Sequence, residues 1–140
     1  MSKNKAIYLL AAAFILIGAA VFFLLNNESG TSTSGRKDVD KKALIGDWIR
    51  TDASYLIRIS KVNNDGTMTA QYFNPNPINV GSASWEESYG NLKIMIELRD
   101  INYPGSKYTL SYLSDRDMLA GEYYQAVEGL TYYVEFMRRK

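Results

Sequence analysis

Asn91-Leu92-Lys93-Ile94-Met95-Ile96-Glu97-Leu98-Arg99 is the stretch that decides the fold. Extended, it puts Leu92, Ile94, Ile96 and Leu98 on one side and Lys93, Glu97 and Arg99 on the other. A period of two marks a strand with one face in a core and the other in water. The same alternation runs through Thr131–Arg138, where Tyr132, Val134 and Phe136 oppose Thr131, Glu135 and Met137. It recurs in Lys107–Tyr112 with Tyr108, Leu110 and Tyr112, and more weakly in Tyr55–Val62 and Thr67–Phe73.

Turn-forming clusters punctuate these runs: Asn63-Asn64-Asp65-Gly66, Asn74-Pro75-Asn76-Pro77, Tyr89-Gly90-Asn91, Tyr103-Pro104-Gly105, Ser114-Asp115-Arg116-Asp117 and Glu128-Gly129. Each supplies residues that tolerate positive φ or preset a turn. Their regular spacing is that of consecutive hairpins. No stretch after residue 45 keeps a 3.6-residue period, and only Val39–Ile45 suits a short helix. The pattern predicts eight strands, at 46–52, 54–62, 66–73, 79–87, 91–100, 106–113, 118–126 and 130–138. Eight antiparallel strands in chain order can close on themselves and leave no free edge. The expected fold is therefore all-β, an eight-stranded antiparallel up-and-down barrel, favoured over a two-sheet sandwich. Tyr55, Ile57, Ile59, Ile94, Ile96, Tyr108, Leu110, Val134 and Phe136 are its inward candidates, large enough together to fill such a lumen.

Upstream lies a different chemistry. Residues 6–25, AIYLLAAAFILIGAAVFFLL, hold twenty residues without a charge, preceded by Lys3 and Lys5. As a helix they span about 30 Å, the thickness of a bilayer's hydrocarbon core. A cleaved signal peptide is the alternative, but its apolar region is shorter, about 7–15 residues, and ends in small residues. This run ends in Phe22-Phe23-Leu24-Leu25. An acylated lipoprotein is excluded, because the chain has no cysteine. The basic flank before the helix favours a cytoplasmic amino terminus. The expected organisation is a cytoplasmic segment 1–5, a transmembrane helix 6–25, a Ser/Thr/Gly-rich flexible linker 26–37 and an extracytoplasmic barrel 38–140. In a bacterium this places a single-pass protein in the inner membrane, with its domain in the periplasm.

Composition removes many functions. Sixteen basic residues less Lys3 and Lys5 leave fourteen in the remainder, against fifteen acids. A near-neutral domain lacks the basic face that nucleic acid demands. The absence of cysteine removes disulfides, thiolate catalysis and sulfur-rich metal sites. The absence of histidine removes the commonest general base and the commonest zinc ligand. Glu86 and Glu87 are adjacent, so on a strand they point to opposite faces and cannot act as a carboxylate pair. Asp115 and Asp117 flank Arg116 at a turn, too few oxygens for calcium. No catalytic, cofactor or metal-binding residue is expected, and the chain reads as a non-enzyme.

Gly46-Asp47-Trp48, after a short helical lead-in, resembles the Gly-x-Trp opening of lipocalin-like (calycin) barrels. Leu119-Ala120-Gly121-Glu122-Tyr123 is similar to the L-x-G-x-Y strand of small periplasmic barrels of this type. The resemblance covers about 95 residues. It implies that Trp48 plugs the closed end of the barrel under a basic side chain from the last strand, Arg138 or Arg139. The chain departs from typical lipocalins in its shortness, its missing cysteines and the segment Tyr72–Ile78.

That segment supplies the candidate interaction surface. Pro75 and Pro77 stiffen it and hold the residues before them extended. Asn74, Pro75, Asn76, Pro77 and Ile78, with Trp85 beyond them, are expected to form a recognition surface at the barrel mouth. The domain's ten tyrosines, all those after Tyr8, read individually as strand formers whose rings pack while their hydroxyls reach water. The function expected is a membrane-anchored binding module, an accessory subunit or an inhibitor acting on another envelope protein. A barrel that binds a small apolar ligand is the alternative.

Overall fold

The computed structural model describes residues 39–140. The expected cytoplasmic segment 1–5, transmembrane helix 6–25 and linker 26–37 lie outside the described residues. Among those described, no helix is long and apolar enough to cross a membrane.

The domain opens with a single 3₁₀ turn, Lys41–Leu44, capped by the Asp40 carboxylate accepting from the Lys42 N–H at 2.9 Å. Nine strands follow: β1 (Gly46–Arg50), β2 (Leu56–Val62), β3 (Met68–Asn74), β4 (Asn76–Ile78), β5 (Val80–Ser88), β6 (Asn91–Asp100), β7 (Tyr103–Leu113), β8 (Met118–Gln125) and β9 (Leu130–Arg138). They form one antiparallel sheet in the order β4-β3-β2-β1-β9-β8-β7-β6-β5. The first and last strands pair, Trp48 opposite Arg138, so the sheet curls into a nearly closed barrel.

Two sequence expectations need correction. The strands number nine, because Asn76-Pro77-Ile78 folds back on β3 as a short strand, with Tyr72 opposite Ile78 and Asn74 opposite Asn76. Proline lacks a ladder donor and suits an edge strand, and β4 is the edge. Tyr103-Pro104-Gly105 belongs to β7 and is not the turn between β6 and β7. The register shifts between Leu98 and Arg99 opposite these residues. Gly105, at φ +91°, takes the left-handed conformation that a bulge of this kind requires. The true turn is Ile101-Asn102.

The barrel's seam runs between β3 and β5. At one point Thr67 pairs with Ser84, and the Trp85 N–H donates to the Gly66 carbonyl at 2.8 Å. The inward alternation delivers the core expected of it. Ile57, Ile59, Ile94, Ile96, Tyr108, Leu110, Val134 and Phe136 are buried, with Leu92, Leu98 and Leu119 beside them, and Tyr55 packs at their margin. The lumen is a packed interior.

The strand directions give the barrel two unlike ends. The 3₁₀ turn, the 63–67 and 114–117 turns and the carboxyl terminus share one end. The 51–55 loop, Pro75, Ile101-Asn102 and the 126–129 turn share the other. The chain enters the barrel at the first of these.

Candidate functional site

Trp48 closes the end where the chain enters. It is fully buried, and its indole N–H donates to the Leu44 carbonyl at 2.9 Å. The Arg138 guanidinium lies over the indole at 4.1 Å, within cation–π range. Arg138 also donates to the Ala43 and Ile45 carbonyls at 2.6 and 2.7 Å. Its remaining donors fork onto Asp117 at 2.6 and 2.9 Å. Those bonds hold the Asp117 carboxyl below the ordinary carboxylate range. A Cβ at residue 46 would collide with the Arg138 guanidinium, so glycine there makes the bridge possible. This end is sealed.

The other end is not sealed. A cavity of about 320 Å³ opens there above the packed lumen, lined by Tyr55, Tyr72, Tyr103, Tyr123 and Tyr132. Arg50, Asn74, Asn102 and Gln125 complete its wall. The topology explains the gathering. Each tyrosine lies close to a strand end on the same side of an up-and-down barrel, and each takes an inward register position there. Tyr123 stands opposite both Tyr108 and Tyr132 across the ladders.

The rings brace one another. Tyr72 meets Tyr55 and Tyr103 edge-on at 6.4 and 6.3 Å between centroids, and Tyr108 stacks on Tyr123 at 4.5 Å. The Tyr72 and Tyr108 hydroxyls bond to each other at 3.0 Å at the cavity floor. Burial pushes both phenols well above their ordinary pKa, so both hydroxyls stay protonated. One of the two protons serves their shared bond, and the other is free. The Asn74 amide donates to the Tyr103 hydroxyl at 2.5 Å, which leaves the Tyr103 proton free as well.

Arg50 supplies the charge. Its Nε and Nη2 donate to Asp52 at 2.6 and 3.0 Å, and its guanidinium sits 5.3 Å from the Tyr55 ring centre. The Arg50 side chain is 13% exposed, while Asp52 is 62% exposed at the rim. Burial opposes the charge on Arg50, but Asp52 and the Tyr108 hydroxyl together outweigh it and the guanidinium stays protonated. The Tyr108 hydroxyl stands beside the same guanidinium as a further partner, and the five N–H groups of an arginine leave donors to spare. Two of the turns beside the cup carry exposed apolar side chains: Ile101 is 92% exposed, Val127 62% and Leu130 49%.

The structure divides the residues that the sequence grouped as an interaction surface. Asn74 lines the cup. Pro75, Asn76 and Pro77 are exposed at the tip and edge of the β3–β4 hairpin beside it, and Ile78 packs against the core. Trp85 stands at the opposite end of the barrel, next to the 3₁₀ turn. There its indole N–H donates to the Asn63 carbonyl at 2.8 Å and Lys41 lies 5.3 Å from its ring. Five steps of extended strand, about 17 Å, carry the chain from Val80 to Trp85 and away from the hairpin tip. The sequence reading missed Arg50, Tyr55, Tyr72, Asn102, Tyr103, Tyr123, Gln125 and Tyr132. Their signal was present: in an up-and-down barrel, alternate turns share an end, and these residues cluster at alternate turns.

Glu86 and Glu87 are exposed on β5, Glu86 within 3.7 Å of Lys93. Asp117 serves Arg138 and also accepts from the Tyr112 hydroxyl at 2.9 Å. Among the described residues no group of three or more acidic side chains is placed to hold a metal ion. Compared with protein-family models, with curated proteins and with solved structures, the chain matches none.

Proposed function

We propose that this chain is a membrane-tethered, extracytoplasmic binding module, and that it engages another envelope protein through the open end of its barrel. One observation carries the reading: a polar, tyrosine-lined cup at one end, flanked by exposed apolar side chains on two turns, above a lumen occupied by buried side chains. Tyrosine and arginine at the centre of a contact, with apolar side chains around them, is the composition of a recognition surface. A cup of about 320 Å³ suits a single side chain or chain terminus presented by a partner, and the flanking turns supply further area. The packed lumen weighs against an apolar ligand inside the barrel.

Crosslinked pull-down of the full-length chain tests this. Asn102 is exposed at the cup, so Asn102→Arg blocks the cup without disturbing the core. Glu122→Arg changes the outer wall equally. The reading expects Asn102→Arg to lose the partner recovered by the parent chain and Glu122→Arg to keep it. Equal recovery by both variants contradicts it.

A further inference from the structure

We infer that the cup binds a carboxylate group, with Arg50 and the free tyrosine hydroxyls as its donors. The inference rests on the reading of the cup as the contact region. The wall holds one guanidinium and five phenols, and no carboxylate lines it. Arg50 has more N–H donors than its partners Asp52 and Tyr108 use, Tyr103 offers its proton after accepting from Asn74, and the Tyr72–Tyr108 pair offers one more. Asn74, Asn102 and Gln125 add amide groups that can serve either way. A site whose fixed charge is positive and whose hydroxyls are donors calls for an anionic acceptor with two oxygens.

The chain itself demonstrates the match. Asp52 already forks onto Nε and Nη2 of the same guanidinium at 2.6 and 3.0 Å from the rim. Asp52 is exposed whereas Arg50 is nearly enclosed, so the internal carboxylate covers the outer edge of the cation and leaves its spare donors for a guest. The internal acid therefore neutralises part of the positive charge that an incoming one meets. Its removal strengthens binding, which a purely structural Arg50–Asp52 pair does not predict.

Two sources share this chemistry: a free small acid, and the carboxyl terminus of a partner protein. Calorimetric titration of the full-length chain in lipid nanodiscs separates them. The probes are acetyl-glycyl-glycine with a free carboxylate, the same peptide as its amide, and sodium acetate. The free-acid peptide is expected to bind at least about tenfold more tightly than the amide, since a charge-assisted bond is lost. Asp52→Asn is expected to tighten the free-acid peptide several-fold, and Arg50→Gln to weaken it at least about tenfold. Raising salt weakens it further. Acetate competing as well as the peptide identifies a free small acid, and acetate failing where the peptide succeeds identifies a displayed terminus. Equal binding of acid and amide overturns the inference, as does the absence of binding by every probe. An Asp52→Asn chain that binds no more tightly also overturns it, and that arm decides the matter if Arg50→Gln fails to fold. If the carboxylate probes fail while Asn102→Arg still loses its partner in the pull-down, the contact region stands and only its chemistry is wrong.

Discussion

Arg138 carries more of the structure than any other single side chain. It joins the last strand to the carbonyls of Ala43 and Ile45, to Asp117 and to the face of Trp48. Hydrogen bonds to a charged group contribute about 1.5–3 kcal/mol each and share their energy within a network. Arg138→Ala is therefore expected to cost about 3 kcal/mol and lower the Tm by more than about 10 °C, measured by thermal circular dichroism. A loss of a degree or two contradicts this account. The small motifs around it were legible because glycine has a physical reason at each. Gly46 leaves space for the guanidinium, and a Cβ at Gly121 would meet the Thr109 carbonyl of β7. What the sequence left hidden at this scale was the choice of Arg138 over Arg139, since only a register assigns one of two adjacent arginines to the indole face.

Strand existence was readable wherever alternation and a turn cluster agreed, as in Asn91–Asp100 and Leu130–Arg138. It failed where proline spoke for two outcomes. Pro77 reads as a loop stiffener, yet it sits in an edge strand opposite Phe73. Pro104 reads as a turn, yet a bulge opposite Arg99 absorbs it. Trp85 shows the same limit. It was grouped with Asn74–Ile78 as a recognition surface, whereas its ring packs on the core and its indole and backbone N–H groups fasten β5 to the 63–67 turn. It is the fastener of the barrel's seam. Trp85→Ala is expected to cost about 3 kcal/mol and to speed amide hydrogen exchange at Gly66–Met68 and Val80–Ser84 more than elsewhere. Uniform acceleration across all strands contradicts the seam assignment.

The molecule as a whole has a wide pH plateau written into its composition. Hydrogen bonds from Arg58, Arg50 and Arg138 hold Asp47, Asp52 and Asp117 below their ordinary range. Each such pair stabilises fully above the unfolded carboxylate value, about pH 4, and fades as pH falls through the lower folded value. Burial raises Tyr72 and Tyr108. Above about pH 10 the unfolded chain releases phenolic protons that the folded chain retains, and stability falls again. No histidine or cysteine titrates between these limits. Melting curves are expected to be level from about pH 5 to 9 and to drop on either side, and a step near pH 6.5 contradicts this. At this scale the all-β barrel was legible from periodicity, and the cup was not. A cavity lined by tyrosines from four strands and a fifth just before β2 exists only once alternate turns are brought to one end, and each tyrosine by itself reads as ordinary strand packing.

Site-specific photo-crosslinking in native membranes decides whether the open end is the contact region. A photoreactive residue placed at Asn102 is expected to capture one defined envelope protein, while the same residue at Thr69, exposed on the outer wall, captures none. Capture of the same protein from Thr69, with none from Asn102, contradicts the account.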